Sequence, residues 1–347
     1  MRTLTRFTAL GACVLLAACG AAEHTTAPNA LGGRASRDLV VGPAQPPTYT
    51  GYTLTDISAG LPSSAVDINE SGTIVGRHTL GGLDHGFIRH ADGTLEDLPP
   101  LPGDLSNVAS GVNASDVVVG SSTAANGTSH AWRKAPGGPM TPLGGLCTTG
   151  SHANAIGAAG EIVGDCSSQM AVWTSPQGPP LLRTLLFGTL HDVENGVAAG
   201  DETSPDGSRW AAVWDGHHVS PVVLPTGTTT SSWSTGVASA QQVVGAYTDA
   251  TGDHGFVATL GGTTRLLPHP VEAMTALGRI VGWYVSIPAV AYTIAPNGLG
   301  VEVPLPPTTR DRVALRANRC GAIVGHYFPS GLQNGARAAL WTKPGCD

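Results

Sequence analysis

The chain has 347 residues, of which 47 are glycine, 26 are proline and only 12% are charged. This length suits one large or two ordinary domains, and the many turn-forming residues between short apolar runs favour an all-β fold. The formal net charge of −7, with no cluster of Lys and Arg, excludes a phosphate-binding surface, so no nucleic acid partner is expected.

The N-terminus has the features of a targeting segment. Arg2 and Arg6 precede about twelve mostly apolar residues, which are too few to span a bilayer. The run ends in Leu16-Ala17-Ala18-Cys19, followed by Gly20. This ending resembles the lipobox of bacterial lipoproteins, and the alternative is an ordinary secretory signal cleaved nearby. The resemblance implies a signal peptide over residues 1–18, lipidation of Cys19, and an extracytoplasmic protein anchored to the cell envelope, at the outer membrane if the cell has one.

Residues 19–48 are small, polar and rich in Pro and Gly, with no apolar period. Such a segment cannot bury enough apolar surface to fold, so it predicts a flexible tether. The tether would hold a folded domain, residues 49–347, away from the membrane.

The folded region is repetitive. A motif of two apolar residues and a glycine occurs six times, and its glycines are Gly76, Gly120, Gly164, Gly245, Gly282 and Gly325. Their spacings are 44, 44, 81, 37 and 43 residues, so the interval of 81 predicts a degenerate unit between residues 180 and 230 in which the central glycine is blurred. The chain therefore contains seven units of about 43 residues.

Each unit contains four short apolar runs separated by polar or Gly-containing turns, which is typical of a β-propeller blade. We expect seven four-stranded blades rather than six or eight. The last unit lacks its fourth run, and residues 52–58 match that missing run. An N-terminal strand that completes the last blade closes the ring, whereas a linear stack would leave this strand unpaired.

The recurrent glycine permits close approach of a neighbouring strand or of an aromatic side chain from the next blade. The aromatic candidates on the predicted third strands are Trp132, Trp173, Trp214 and Trp341.

The cysteines favour disulfides. Cleavage removes Cys13 and lipidation uses Cys19, which leaves Cys147, Cys166, Cys320 and Cys346 in an oxidising compartment. Zinc binding is the alternative, but no C-x-x-C pair or neighbouring histidine spacing supports it. Their places relative to the predicted strands favour the pairs 147–166 and 320–346 over the crossed pairings.

Three tripeptides on the predicted third strands carry a family resemblance. They are His85-Gly86-Phe87, His130-Ala131-Trp132 and His254-Gly255-Phe256. In this frame the chain resembles the HAF-repeat proteins of bacteria over nearly all of residues 50–347, although four units lack the histidine. The resemblance implies an extracellular repeat protein of unassigned biochemical activity.

The pairs Asp84-His85 and Asp253-His254 could act as bases, because a carboxylate raises the basicity of an imidazole. Catalysis needs one asymmetric constellation, however, and these pairs are spread round the ring. We therefore expect His85, His130 and His254 to make structural hydrogen bonds.

Other chemical signals are weak. Asp201, Asp206 and Gly207 have the wrong spacing for a calcium loop, and His217-His218 has no third metal ligand nearby. No nucleophile elbow, zinc-protease, phosphate-binding or dinucleotide motif occurs. The sequence therefore predicts no catalytic residue, no metal and no cofactor.

We expect a monomeric propeller whose loops or channel mouth bind a glycan or protein ligand. The alternatives are a glycoside hydrolase or lyase with carboxylates at the channel mouth, and a structural envelope protein. Low charge and the lack of long inserted loops favour binding, whereas carboxylates converging on one mouth with a His or Arg would favour the enzyme. We expect any functional site to be formed by residues at positions that differ between the seven units.

Overall fold

The computed structural model describes residues 51–144, 147–182, 187–224, 229–238, 241–284, 289–294, 300–302, 309–329 and 335–345. The predicted signal peptide, Cys19 and the predicted tether lie outside these residues. Residues 47–347 form one compact unit. No helix in the described part of the chain is long and apolar enough to cross a membrane.

The described residues form 28 β-strands in seven antiparallel sheets of four, which confirms the predicted seven-bladed propeller. After β1 (Thr53–Asp56), blade 1 contains β2 (Ser63–Ile68), β3 (Ile74–Leu80), β4 (Leu83–Arg89) and β5 (Leu95–Leu98), and blade 2 contains β6 (Asp104–Val112), β7 (Val118–Ala124), β8 (Ser129–Lys134) and β9 (Met140–Pro142). Blade 3 contains β10 (Ser151–Ile156), β11 (Ile162–Cys166), β12 (Gln169–Trp173) and β13 (Leu181–Leu182), and blade 4 contains β14 (Phe187–Glu194), β15 (Val197–Thr203), β16 (Arg209–Trp214) and β17 (Val219–Pro221).

The remaining blades follow the same order. Blade 5 contains β18 (Ser231–Ala238), β19 (Gln242–Asp249), β20 (Gly252–Thr259) and β21 (Thr264–Leu267), and blade 6 contains β22 (Val271–Met274), β23 (Ile280–Tyr284), β24 (Val290–Ile294) and β25 (Gly300–Glu302). Blade 7 contains β26 (Thr309–Ala317), β27 (Ile323–Pro329) and β28 (Arg337–Thr342), with β1 as its fourth strand. The first strands of neighbouring blades contact one another all round the ring, which places them at the centre.

Strand β1 closes the ring as predicted, although the paired segment is shorter than residues 52–58. It runs antiparallel to β28, with Leu54 opposite Trp341. The Tyr327 hydroxyl donates to Asp56 Oδ2 at 2.8 Å, so a side chain of β27 also holds the closing strand. The outer edge of β28 is thereby covered.

A β-bulge occurs in the first strand of every blade. The recurrent glycine, on the second strand, pairs with the first-strand residue that precedes the bulge. The fourth unit obeys this rule through Gly200, which pairs with Leu190. The prediction of a blurred glycine there was therefore wrong: the glycine is present, and Ala198-Ala199 replaces the usual branched pair before it.

The glycine is required because a Cβ at this position would overlap a backbone carbonyl oxygen in all seven blades, from the first strand itself or, at Gly282, from Pro270 just before it. At Gly76 and Gly120 a Cβ would also meet the ring of Phe87 or Trp132. The close approach of a neighbouring strand is therefore confirmed, whereas the rings come from the third strand of the same blade and not from the next blade. The second and third strands are direct neighbours, which brings the ring over the glycine.

The apolar core lies between adjacent blades. One cluster, for example, joins Val75 and Ile88 of blade 1 to Val118 and Trp132 of blade 2. Because alternate residues of a strand point to opposite faces, each blade packs against both of its neighbours.

In His85-Gly86-Phe87 and His130-Ala131-Trp132, the small residue after the histidine contacts the next blade. The Gly86 N–H donates to Asn107 Oδ1 of blade 2, and the Ala131 N–H donates to Ser151 Oγ of blade 3 at 3.0 Å. A side chain larger than alanine would obstruct this contact. The small middle residue of these tripeptides is therefore explained by packing between blades.

The disulfide Cys147–Cys166 is present as predicted and fastens the segment before β10 to the end of β11. Cys320 is also disulfide-bonded. Its predicted partner Cys346 lies outside the described residues.

Candidate functional site

The first strands surround the central channel with one row of partly exposed side chains each. At the bulge these are Val66, Ser110, Asn154, His191, Thr235, Glu272 and Leu315. All seven are partly exposed and each is preceded by a buried residue, so they lie on the channel side of the first strands, where Asn154 and Thr235 also donate to backbone oxygens of the next blade. The charged or titratable members are His191 of blade 4 and Glu272 of blade 6.

His191 is held by a buried carboxylate. Its Nε2 lies 2.6 Å from Asp201 Oδ1, and Arg209 donates to both oxygens of Asp201, at 2.6 and 3.0 Å. Burial acts to raise the pKa of Asp201, but the hydrogen bonds from His191 and Arg209 outweigh it and lower this pKa below its ordinary value. An ionised carboxylate can only accept, so neutral His191 carries its proton on Nε2 and keeps a lone pair on Nδ1.

The pKa of Glu272 shifts in the opposite direction to that of Asp201. Burial raises the pKa of Glu272, although Arg316, Trp283 and His191 act against the shift. Its Oε1 accepts a hydrogen bond from Trp283 Nε1 at 3.0 Å. His191 and Glu272 come from blades that are not adjacent, so they interact through the interior of the ring.

Trp233 of blade 5 lies between these two groups in chain order round the channel. It is partly exposed, and the Arg209 guanidinium lies 5.5 Å from its ring centre, a cation–π contact. Arg316 of blade 7 donates to the carbonyl oxygens of Thr235 and Glu272, at 3.3 and 3.0 Å, which fixes blades 5 and 6 against each other.

We call His191, Trp233, Glu272 and Trp283 the channel arc. It combines a basic nitrogen, a carboxyl group biased towards its protonated form and two indole rings. Such a set can hydrogen-bond a polyhydroxylated ligand, stack on its apolar face and exchange protons with it.

The end of the channel where the first strands finish is acidic. A cavity of ≈210 Å³ there is lined by four carboxylates and one guanidinium, from Asp67, Glu70, Asp192, Glu194 and Arg319. We call these five residues the acidic mouth. Carboxylates that converge with an arginine are the arrangement that would favour an enzyme.

Most of these carboxylates are already engaged. Asp67 accepts the N–H of Val112 in blade 2 and Asp192 accepts the N–H of Val237 in blade 5, each at 2.9 Å. Both therefore fasten the next blade. Burial raises the pKa of Asp67, and the nearby charge of Asp192 adds to the shift.

Glu70 accepts the backbone N–H of Arg319 at 3.1 Å. Glu194 makes no hydrogen bond to any described residue, and burial together with the charge of Asp192 raises its pKa. A single unengaged carboxylate does not make an acid–base pair, so the channel arc is the better candidate site.

The histidines predicted to be structural each contact a carboxylate. His85 Nδ1 lies 3.2 Å from Asp97, His130 Nδ1 lies 3.1 Å from Asp104, and His254 Nε2 lies 3.2 Å from Asp249. Neither His85 nor His254 contacts the aspartate that precedes it in the sequence, because adjacent residues of a strand point to opposite faces.

The two adjacent aspartates have other partners. Asp84 pairs with Arg77 at 2.8 Å and Asp253 accepts from Thr248 at 2.7 Å. The weak metal signals also resolve into ordinary structure, since Asp206 caps a turn through the Ser208 N–H and His217-His218 are exposed beyond an Asp215 turn.

The residues of the channel arc were missed from the sequence. The available signal was that they interrupt the repeat: His191 and Glu272 occupy bulge positions where other blades carry Val, Ser, Asn, Thr or Leu. To recognise this interruption, the first strands of the seven blades must be aligned at equivalent positions. Those positions are defined by the β-bulges, which only the structure reveals.

No family model matches the sequence. No curated protein matches it either. The chain is nevertheless similar in fold to solved structures that are themselves very different in sequence.

A streptogramin B lyase is 12% identical, with a TM-score of 0.56 over 85% of this chain and 99% of that chain. A catalytically inactive virginiamycin B lyase from Staphylococcus aureus with quinupristin is 11% identical, with a TM-score of 0.54 over 84% and 99%. The β-propeller domain of the Trilobed protease from Pyrococcus furiosus is 7% identical, with a TM-score of 0.54 over 81% and 95%. At these identities the similarity establishes the β-propeller fold alone.

Proposed function

We propose that the protein is a lipid-anchored, extracytoplasmic propeller that binds a glycan through the channel arc. The observation that carries the proposal is the grouping of Trp233 and Trp283 with His191 and Glu272 on blades 4 to 6. Sugar rings have apolar faces that stack on indoles and hydroxyls that bond to carboxyl and imidazole groups. A protein ligand that presents similar groups is the alternative occupant.

The binding test uses the full-length protein in detergent micelles on a glycan array, followed by titration calorimetry of the hits. We expect Trp233→Ala and Trp283→Ala each to weaken binding about tenfold or more. Trp210→Ala is the matched control, because Trp210 is an exposed indole on the third strand of blade 4. The proposal would be contradicted if both channel variants bound the hits as tightly as the wild type. It would also be contradicted if no ligand bound saturably, which is the result that the structural-protein hypothesis requires.

The anchor is supported by the lipobox-like run ending in Cys19 and by the HAF-type repeats, which are typical of proteins outside the cytoplasm. Cys19→Ser should remove lipidation and release the protein from membrane fractions. Cys13→Ser is the control, because Cys13 lies within the part of the signal that cleavage removes. Retention of the Cys19 variant on membranes would overturn the anchor.

An enzyme is the second candidate, favoured by an imidazole and a carboxyl group of raised pKa that line the same channel. His191 could accept a proton through Nδ1 while the protonated form of Glu272, which burial favours, donates one to a leaving oxygen, the division of roles that acid–base catalysis in a lyase uses. Asp201 would keep His191 in the required tautomer.

The enzyme test is turnover of the array hits, followed by mass spectrometry of the products. His191→Ala and Glu272→Gln should each lower kcat about 10²–10⁴-fold while leaving binding measurable. Intact ligand after long incubation with the wild type would leave binding as the function and reject catalysis.

A further inference from the structure

A second cluster of chemically reactive side chains lies in blade 1, apart from the channel arc. His78 comes from β3, His85 from β4 and Asp97 from β5. His78 Nε2 lies 2.6 Å from Asp97 Oδ1, and His85 Nδ1 lies 3.2 Å from both oxygens of the same carboxylate. The three donor atoms all lie within 4.8 Å of one another.

Strand pairing brings these residues to one face of the sheet. His78 is directly opposite His85, and Asp97 is directly opposite Phe87, which is two residues from His85 and therefore on the same side. Arg77 and Asp84 point to the other face, where they form an ion pair at 2.8 Å. The positive charge of Arg77 is thereby paired with Asp84 on the face opposite to the cluster.

The cluster is specific to blade 1 among the described residues, as the corresponding positions of other blades show. Blade 7 places Tyr327, Arg337 and Asp56 there, and the Tyr327 hydroxyl satisfies the carboxylate. Blade 2 has Ser122, His130 and Pro142, and blade 5 has Tyr247, His254 and Leu266. Only blade 1 combines two imidazoles with a carboxylate, so the propeller fold alone does not require this arrangement.

We propose that His78, His85 and Asp97 bind a first-row divalent transition metal ion, with Zn²⁺ as the reference. Imidazole nitrogens together with one carboxylate oxygen are a ligand set that suits Zn²⁺ and its neighbours rather than Ca²⁺ or Mg²⁺. Metal–ligand bonds of about 2.0–2.2 Å place ligand atoms roughly 3–3.5 Å apart. The observed separations reach this range after small side-chain rotations.

Metal binding replaces the hydrogen bonds that join His78 and His85 to Asp97 with metal–ligand bonds. Because a metal ligand must offer a lone pair, His78 binds the ion through Nε2 with its ring proton on Nδ1. The ion then links three strands of blade 1.

Access and coordination number define the kind of site. The side chains of His78, His85 and Asp97 are 5%, 17% and 41% exposed, so the metal is approached from the side of Asp97. Three protein ligands leave at least one coordination position for water or an exogenous ligand. The site is therefore open rather than closed.

The test uses the full-length protein without a polyhistidine tag, stripped with chelator and titrated with Zn²⁺ by calorimetry and with Co²⁺ by visible spectroscopy. We expect one equivalent of each ion and Co²⁺ d–d bands from a nitrogen- and oxygen-ligated site. Asp97→Asn and His85→Ala should weaken Zn²⁺ affinity about tenfold or more. Ca²⁺ should neither bind nor raise the Tm.

Two controls separate the site from background and from misfolding. His217→Ala combined with His218→Ala removes the exposed histidine pair and should leave the stoichiometry and affinity unchanged. Asp97→Asn changes an exposed side chain, so its Tm without metal reports on folding independently of binding. Zn²⁺ binding that survives both Asp97→Asn and His85→Ala, or its absence in a folded wild type, would show that the cluster is only a hydrogen-bonded His–Asp–His group.

Discussion

Seven glycines determine how closely the second strand of each blade can approach the first. At Gly120 a Cβ would overlap the Val108 carbonyl oxygen and the Trp132 ring, and Trp132 is fully buried between blades 1 and 2. Neither neighbour can move freely, since one is backbone and the other is packed core.

Gly120→Ala should therefore destabilise the protein by about 1–3 kcal/mol through overpacking. Gly178→Ala is the control, because the nearest atoms to its Cβ are at ordinary contact distance and its φ is not positive. Chemical denaturation of both variants measures the difference. Equal stabilities would show that the first-strand carbonyl does not impose the glycine.

His326 gives the protein a defined response to acid. Burial, with a smaller contribution from Arg77, lowers the pKa of His326 to about 4. An unfolded histidine titrates near its ordinary pKa of about 6.5. Between pH 6.5 and pH 4 the unfolded chain thus binds a proton that the folded protein does not, and the free energy of unfolding falls as the pH decreases.

His326→Gln should remove this dependence while keeping a hydrogen-bonding group near the Ser64 hydroxyl, which lies 3.0 Å from His326 Nδ1. The difference in unfolding free energy between wild type and variant should change by at most about 3 kcal/mol between pH 7 and pH 4. His217→Gln, at an exposed position, should show no such trend. A pH-independent difference for His326→Gln would contradict the assignment.

Residue identities could be predicted from the sequence where the reason is local. The close approach at Gly76 and the structural use of His130 follow from repetition, since a feature that returns in many units serves the fold. The partner of each histidine could not be predicted, because Asp97, Asp104 and Asp249 occupy different strands or turns in their respective blades.

Asparagine side chains join neighbouring blades at the level of whole elements. Asn318 donates to the Asn69 carbonyl oxygen at 3.4 Å, Asn69 to that of Asn113 at 2.9 Å, and Asn113 to that of Gly157 at 3.2 Å. This series runs from blade 7 through blades 1 and 2 to blade 3, across the place where the ring closes. The first-strand bulges are a second element-scale feature, and neither was predictable because both depend on register between strands.

Strand β1 is the element on which closure depends. Tyr52 and Leu54 are partly buried against the cluster that contains Tyr327 and Trp341. Removal of residues 52–58, which include the buried Ile57 as well as these two half-buried side chains, should cost roughly 4–6 kcal/mol and leave the edge of β28 exposed.

The measurements are thermal unfolding and size-exclusion chromatography. We expect a lower Tm and concentration-dependent association through the unpaired edge. A matched deletion of residues 30–36, in the predicted tether, should leave both unchanged. A strand deletion with unaltered Tm and a monomeric profile would mean that β1 does not support the ring.

At the scale of the whole molecule, the ring creates a site that no single repeat contains. His191 and Glu272 are separated by a complete blade in sequence, and they interact electrostatically only because the first strands converge on the channel. The number of blades could be predicted from spacing, since 81 residues between two glycines accommodate one further unit. The residues that line the channel could not be predicted, because they depend on which first-strand residues the bulges turn inward.

Hydroxyl-radical footprinting of the protein with a glycan hit from the array is the most direct test of the channel arc. Trp233 and Trp283 are partly exposed and Trp210 is an exposed indole outside the channel, so all three can be oxidised in the free protein. Bound ligand should protect Trp233 and Trp283 from oxidation and leave Trp210 unchanged. Protection of Trp210 with undiminished oxidation of the two channel tryptophans would contradict the account.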